Sequence, residues 1–387
     1  MFRKIDNALW AALMVHQLPY CSGYTFAPDQ DQAITDPRMP VLFDVPAPEK
    51  LLPSPDSPVA GHWTSSFLTT TTGSQYYFAS GVVLSSPEQT AGYGFSLLDL
   101  ATLNRVTHSS MTTLRDVEIA SLSFASPGYT ISNLPLHNPT IAVQGMADNV
   151  SIDLTVYPTS HALYYGGSGA WMYVDKPLYG WAMPAARTSG NISIPTHGGI
   201  SPAAENDVDG DITTATIDPS ASLTWYDHFW GHLGLQSGNL TWFHLFVNDH
   251  TGSEDDLGDG ELNLALVSYM LDSIDPPFSS RSIHVRSRNR NDSALAIIPV
   301  DRFEPSRDPS AVWTSPRSGL AYPQRWELGI EARGSLEISS VLGDQEVVDP
   351  GSGAATYLGF VTVKGVIDGK QVTGYGSAEV KFIQRLP

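Results

Sequence analysis

Residues 223–232, with the sequence LTWYDHFWGH, place one carboxylate and two imidazoles among aromatic rings. Side chains on a β-strand alternate between its two faces. In an extended segment one face therefore carries Trp225, Asp227 and Phe229, and the other carries Tyr226, His228, Trp230 and His232. Such a face combines apolar surface with groups that donate and accept protons. This composition is typical of a pocket for a small molecule, and these groups can act as general acids and bases there.

Two further aromatic concentrations supply candidate pocket walls. A second aromatic strand, about ten residues further on, contributes Trp242 and His244, while Tyr165 and Trp171 belong to an earlier group. A single aromatic residue in a β protein is most often a core residue, so the prediction depends on their clustering. Together with Trp225, these four residues form the predicted substrate-binding set.

A metal centre is the alternative interpretation of the histidines. His228 and His232 are four residues apart, and zinc would require a third protein ligand, for which Asp227 and His244 are the candidates. Histidines of an aromatic site without metal are the favoured interpretation, so we predict no metal and no cofactor. The signatures of serine hydrolases, zinc proteases, dinucleotide-binding enzymes and P-loop enzymes are missing from the sequence.

The charge balance limits the possible partners. The chain of 387 residues has 40 acidic and 21 basic side chains, for a formal net charge of −19. A surface this acidic repels nucleic-acid phosphates, so we predict no nucleic-acid partner. Beyond the N-terminus, no apolar stretch approaches the roughly 20 residues of a membrane-spanning helix. The predicted partner is an apolar small molecule, and the sequence leaves the oligomeric state open.

The N-terminus has the pattern of a secretory leader. A basic start is followed by an apolar run over 8–18 and small residues near Cys21, which predicts a signal peptide over 1–22. His16 and Gln17 interrupt the apolar run and leave a buried N-terminal segment as the alternative. Cys21 is the one cysteine, so no disulfide framework is expected.

Glycosylation acceptor sites point to the same compartment. Four asparagines have the Asn-x-Ser/Thr pattern without a middle proline: Asn149, Asn191, Asn239 and Asn291. With the leader, these four sites predict a glycoprotein that enters the secretory pathway or is secreted.

Short strand-like segments dominate the rest of the chain. Residues 23–60 are proline-rich and predict an extended arm. From there on, period-two segments broken by Gly, Pro, Asn and Asp predict an all-β protein of sandwiches or barrels. A loop-like segment near 194–220 predicts two domains, 61–205 and 206–387, and Asp368-Gly369 predicts a β-hairpin turn.

Several motifs, taken in order, resemble those of the lipocalin-like hydroxyneurosporene synthase (carotenoid hydratase) superfamily. WYDHFWG at 225–231 is similar to its Trp-x-Asp-His-x-x-Gly signature, and the aromatic pair at 242–243 to its following strand. YPQRWEL at 322–328 resembles its Tyr-Pro-x-x-Trp strand, and GYGSAE at 374–379 its Gly-x-Gly-x-x-Glu strand. GHWT at 61–64 stands in the place of a Glu-Trp-Trp-Tyr motif and keeps one Trp. The resemblance spans roughly residues 60 to 385.

Within that superfamily, the leader, the arm and the chain length resemble the fungal pericyclases. These are Diels–Alderases of polyketide pathways and hetero-Diels–Alderases that join terpenes to tropolones. The resemblance implies an N-terminal β-sandwich or lipocalin-like domain and a C-terminal lipocalin-like β-barrel, with the substrate between them. It implies a cofactor-free, stereoselective (hetero-)Diels–Alder cycloaddition of a polyene, or of a quinone methide with an alkene.

The resemblance also suggests roles for individual side chains. Donors for an activating carbonyl are Tyr226, His228, Trp230 and Arg325, and Trp326 joins the substrate wall. If a quinone methide must first form by loss of water, Asp227 with His228 would be the acid–base pair. The same pair would protonate an alkene, so a polyene or terpenoid hydratase or isomerase is the alternative enzyme. A secreted lipocalin-like carrier of an apolar metabolite is the alternative outside enzymology.

Overall fold

The computed structural model describes residues 23–30, 34, 58–116, 118–120, 123–134, 140–147, 149–173, 176–195, 212–232, 238–249, 262–271, 278–287 and 295–383. Within these residues the chain is built of β-strands, and helical structure is confined to short 3-10 turns. The all-β prediction is confirmed. No helix in this part of the chain is long and apolar enough to span a membrane. The predicted leader lies outside the described residues.

The first sheet has fourteen strands and carries the central aromatic segment of the sequence. Its strands are β1 (Val59–Thr69), β2 (Gln75–Ser85), β3 (Thr90–Asp99), β4 (Arg105–Thr113), β5 (Glu118–Ala120), β6 (Ser123–Ser126), β7 (Tyr129–Leu134), β8 (Thr140–Ala147), β9 (Val150–Tyr157), β10 (Leu163–Tyr164), β11 (Ala170–Tyr173), β12 (Lys176–Pro195), β13 (Ile212–Ile217) and β14 (Leu223–Gly231). They run in the order β4-β3-β2-β1-β14-β12-β9-β8-β7-β6-β5, while β10, β11 and β13 also pair with β12. Strand β14 therefore lies centrally, between β1 and β12.

The second sheet is a closed barrel. Its strands are β15 (Gly238–Asp249), β16 (Leu262–Leu271), β17 (Phe278–Ser287), β18 (Leu295–Pro305), β21 (Arg325–Ile330), β22 (Gly334–Ser340), β23 (Glu346–Val348), β24 (Ala355–Ile367) and β25 (Lys370–Ile383), while β19 (Val312–Thr314) pairs with β20 (Ala321–Pro323). The order is β22-β21-β18-β17-β16-β15-β25-β24-β23, and an additional β22–β24 pairing closes the ring. An antiparallel ring of this kind is lipocalin-like, as predicted.

Side-chain alternation divides the apolar residues into three clusters. One fills the first sheet and one fills the barrel, where Phe243 and Trp326 pack together. The third, which we call the interdomain layer, lies between the two sheets and includes Phe67, Trp225 and Phe246. The barrel interior is occupied by its own core, whereas the interdomain layer receives side chains from both domains.

The domain boundary predicted after residue 205 lies too early. Strands β13 and β14 follow that point in the chain, but they pair with β12 and β1 of the first sheet. The chain passes to the barrel between β14 and β15. The segment rich in Pro, Gly and Asp therefore connects strands of one sheet. Its composition predicts a break in the strands but does not determine which sheet the next strand joins.

The predicted hairpin is confirmed: Asp368 and Gly369 have φ angles of 49° and 78° between β24 and β25.

The start of the predicted arm belongs to the interdomain layer. The backbone of Tyr24 exchanges two hydrogen bonds with the Gln75 side chain, at 2.8 and 2.6 Å. Phe26 is 2% exposed, and its ring lies 5.8 Å from that of Phe67 and 5.0 Å from that of Tyr375. Phe67 comes from the first sheet and Tyr375 from the barrel, so Phe26 contacts both domains.

Candidate functional site

Asp227 is a buried carboxylate at the interdomain layer, and three side chains contact it. Its Oδ1 accepts hydrogen bonds from the Tyr165 hydroxyl at 2.6 Å and from Trp225 Nε1 at 3.1 Å. Its Oδ2 lies 2.8 Å from His244 Nε2. Asp227 is 4% exposed, and His244 comes from the barrel. The two domains therefore meet at a carboxylate–imidazole pair.

The imidazole of His244 is fixed on its other sides as well. Its Nδ1 lies 3.3 Å from Ser377 Oγ, which accepts a hydrogen bond from Ser65 Oγ at 3.0 Å. Its ring stacks on Trp225 with the centroids 4.5 Å apart and the planes 10° from parallel. A ring held through Nδ1 and one face has a defined orientation, which suits a group that exchanges a proton with its neighbour.

The Gly-x-Gly motif on β25 permits this arrangement. A Cβ at Gly376 would lie 2.1 Å from the carbonyl oxygen of His244, so only glycine allows β25 to approach β15 here. The next residue is Ser377, which pairs with His244 across the two strands. The motif thus places the serine against the imidazole.

Tyr165 lies in a short 3-10 turn between β10 and β11. Burial, followed by the charge of Asp227 and the hydrogen bond to it, raises the pKa of the Tyr165 hydroxyl well above its usual range. The hydroxyl therefore stays protonated and donates to the carboxylate. The turn is held from the barrel, because Gly166 N donates to His284 Nε2 at 3.0 Å. Gly166 has a φ of 66°, where a Cβ would approach Trp171 to 3.2 Å.

Three half-buried indoles surround this centre, and we call them the indole wall: Trp63, Trp171 and Trp242. Trp63 is the strand partner of Asp227 on β1. The rings of Trp171 and Trp242 lie 5.4 and 5.2 Å from that of Tyr165. A buried acid–base pair beside aromatic faces can transfer a proton to an apolar substrate and stabilise positive charge that develops on it.

The structure brings together the predicted residues Trp225, Asp227, Trp242, His244, Tyr165 and Trp171. The sequence assigned His244 to the substrate wall, whereas its side chain lies against Asp227. Sequence reasoning missed Ser65, Trp63 and Ser377 as neighbours of the pair. The signal for Ser377 was its place in the GYGSAE motif, while Ser65 carried no signal because its position depends on the pairing of distant strands.

Tyr226, His228 and Trp230 occupy the opposite face of β14, as alternation requires. Tyr226 and Trp230 belong to the core of the first sheet. Tyr226 Oη lies 2.5 Å from His62 Nδ1, and the His62 ring stacks on His228 at 4.8 Å. His228 Nδ1 donates to the Gly61 carbonyl oxygen at 3.1 Å. Asp227 and His228 therefore point to opposite faces of β14. They do not form the predicted acid–base pair, and they do not face a common metal position.

Arg325 and Trp326 are also apart from Asp227. Arg325 is exposed on β21. Trp326 is buried inside the barrel, with its ring 5.2 Å from that of Phe243. Within the described residues, no group of three histidine, cysteine, aspartate or glutamate side chains is arranged to hold a metal ion.

The stacked histidines predict a loss of stability in mild acid. Burial lowers the pKa of His228 to about 4, and burial followed by the neighbouring His228 lowers the pKa of His62 well below its usual value. Between pH about 6.5 and 4 the unfolded chain binds the protons that the folded chain excludes, so stability falls as pH falls. His228 alone should account for about 3 kcal/mol of the decrease in the free energy of unfolding over this pH range. Denaturant unfolding across this pH range measures the loss, and His228→Gln should flatten the curve relative to the native chain. A parallel pH dependence in both proteins would contradict this explanation.

The comparisons with known proteins place this chain beside two fungal enzymes. No family model matches the chain. The chain is 29% identical over 369 residues to kievitone hydratase of Fusarium solani subsp. phaseoli, covering 93% of this chain and 91% of that protein. It is 27% identical over 370 residues to the dehydratase asqC of Emericella nidulans, covering 93% and 94%. The crystal structure of kievitone hydratase from Nectria haematococca superposes with a TM-score of 0.74 at 22% identity, over 93% of this chain and 98% of that one.

These likenesses confirm the resemblance to the lipocalin-like carotenoid hydratase superfamily. The two sequence relatives are named as enzymes that add or remove water, one a hydratase and the other a dehydratase. Its relatives act on small molecules, in keeping with the predicted class of partner.

Proposed function

We propose that this protein adds water to, or removes water from, a carbon–carbon double bond of an apolar small molecule held at the interdomain layer. The observation that carries the proposal is the buried Asp227–His244 pair, with its 2.8 Å contact, beside the indole wall. Addition of water to an isolated double bond requires proton delivery to carbon. A carboxylate–imidazole pair shielded from bulk water supplies a proton without an added cofactor.

The reaction follows from these groups. In hydration, a proton from the Asp227–His244 pair forms a bond to one alkene carbon, and the other carbon gains positive charge. The indole wall and the Asp227 carboxylate stabilise that charge. A water oxygen then bonds to the cationic carbon and releases one proton, so the product equals substrate plus water. Dehydration is the reverse sequence, with the hydroxyl protonated before it leaves. Tyr165 and Trp225 keep the carboxylate oriented through Oδ1.

Cycloaddition is the second candidate, and the indole wall is the observation that favours it. Half-buried aromatic surfaces between two domains can hold a polyene, or a quinone methide and an alkene, in a reactive geometry. Loss of water at Asp227 would generate the quinone methide from a hydroxylated precursor, which links this candidate to the first. A carrier would use the same wall without the acid–base pair.

Metabolite profiles with and without the gene test these alternatives. A strain that lacks the gene should accumulate a compound that differs from the normal product by one water. Accumulation of an isomer of the product, or of two unjoined partners, would contradict hydration and support cycloaddition. An unchanged product whose amount or location shifts would contradict both enzymes and support a carrier.

We propose further that the protein acts in the secretory pathway. The side chains of Asn149, Asn191 and Asn239 are exposed; Asn291 lies outside the described residues. Protein isolated from its native host should lose mass on treatment with an N-glycosidase, and the three asparagines should become aspartates in peptide mass spectra. The variant Asn149→Gln should remove one glycan. An untreated mass equal to that of the bare chain from residue 1 would contradict the proposal.

A further inference from the structure

A second carboxylate, Glu379, faces the same interdomain layer from the barrel. Residues Ser377, Glu379 and Lys381 alternate along β25 and share one face. Ser377 contacts Ser65 of the first sheet at 3.0 Å, and Lys381 lies over the Trp63 ring at 5.5 Å. Because both flanking residues contact β1, the intervening Glu379 is directed toward β1 as well.

Other contacts place Glu379 close to the Asp227 centre. Its strand partner on β15 is Trp242, whose ring packs against Tyr165. Burial, with contributions that include the Glu379 charge, raises the pKa of Tyr77, so the carboxylate lies within electrostatic range of that hydroxyl. Tyr77 is fully buried in the interdomain layer. Glu379 thus approaches the layer from the side of the barrel, while Asp227 approaches it from the first sheet.

The bonding of the two carboxylates differs. Both oxygens of Asp227 are engaged, by Tyr165, Trp225 and His244. Glu379 forms an ion pair with Lys381 through Oε1 at 2.5 Å, and its side chain is 14% exposed. Among the described residues, no hydrogen bond or ion pair engages its Oε2. A water molecule can therefore reach Glu379 more readily than it can reach Asp227.

On these grounds we infer that Glu379 is a second catalytic carboxylate, the base that takes a proton from the attacking water. This inference rests on the proposed hydration or dehydration and assigns its second proton transfer. In hydration, the Asp227–His244 pair gives one proton to carbon, the water oxygen bonds to the neighbouring carbon, and Glu379 receives the proton that water releases. Exchange with solvent then restores both groups. In dehydration, protonated Glu379 gives its proton to the departing hydroxyl, and the Asp227–His244 pair takes the proton from carbon.

The test uses the full-length protein and the compound that accumulates in the strain lacking the gene. Glu379→Gln keeps the shape of the side chain and removes the base, so we expect turnover to fall by about 100-fold or more. Glu337→Gln is the matched control. Glu337 forms a comparable ion pair with Lys364, at 2.9 Å, on the outer side of the barrel. This control should retain native turnover.

Chemical rescue separates a catalytic from a structural role. In Glu379→Ala, added formate should restore part of the lost turnover, because a small carboxylate can occupy the vacated space and accept the proton. Thermal unfolding of all variants shows whether they fold. If the native protein converts the compound by gain or loss of water while Glu379→Gln matches the Glu337→Gln control, this inference fails and the proposed function stands. If Glu379→Ala is inactive and formate restores nothing, Glu379 is not the base. If the native protein neither adds nor removes water, both this inference and the proposed function fail.

Discussion

Replacing Asp227 by asparagine is expected to lower kcat/KM by about 10³-fold while leaving the protein folded. Asparagine keeps an oxygen that can accept from Tyr165 and Trp225, and its amide can donate to His244 Nε2 if the imidazole proton moves to Nδ1, beside Ser377. The three side-chain contacts of residue 227 are therefore conserved. The variant loses the negative charge of the carboxylate. That charge holds the exchangeable proton on the Asp227–His244 pair and stabilises the cation that results from protonation of an alkene.

Steady-state kinetics with the accumulated precursor measure this effect, and thermal unfolding verifies the fold. Asp153→Asn is the matched control, because Asp153 lies exposed on β9 of the same sheet and contacts the side chain of Gln144. It should retain native kinetics. Native turnover in Asp227→Asn would remove Asp227 from the chemistry and favour a purely shape-directed cycloaddition.

Replacing Phe26 by alanine is expected to destabilise the protein by about 3–5 kcal/mol, the usual cost of truncating a buried phenylalanine. Phe26 is almost fully buried, and its ring contacts Phe67 of the first sheet and Tyr375 of the barrel. Its loss opens a cavity at the point where the arm joins both domains, so the contacts between the domains weaken together with the core.

Denaturant unfolding measures the change in the free energy of unfolding for Phe26→Ala. Thr25→Ala is the matched control, since Thr25 is the exposed neighbour of Phe26, and it should change stability by about 0.5 kcal/mol or less. A stability loss in Phe26→Ala no larger than that of the control would mean that the arm does not contribute to the folded core.

The sequence was sufficient to predict the two faces of β14 but not which domain each face contacts. Alternation follows from backbone geometry, so Trp225 and Asp227 had to be separated from Tyr226 and His228. The partner of Asp227 depends on how strands that are distant in sequence come together in the fold. His228 is its neighbour in sequence, but His244 reaches it because β15 crosses to the barrel and places its outward face against β14.

The same limit explains the domain boundary and the N-terminal arm. A segment rich in Pro, Gly and Asp breaks strands wherever it occurs, and β13 and β14 return to the first sheet after it. Proline-rich composition predicted an extended arm, yet the burial of Phe26 depends on a gap between two domains formed far along the chain. The exposure of Arg325 was also not predictable from its motif, because a motif does not determine which face of the strand points outward.

Incubation of the purified protein with the accumulated precursor in water enriched in heavy oxygen tests the central claim most directly. For hydration, the product should be heavier than the precursor by one labelled water, with the label on a single carbon–oxygen bond and with labelling about 10³-fold slower in Asp227→Asn. For dehydration, the product should be lighter by one water, and the reverse reaction should return the label to the precursor. A product that is an isomer of the precursor and carries no label in either direction would contradict the assignment of water chemistry to the Asp227–His244 centre.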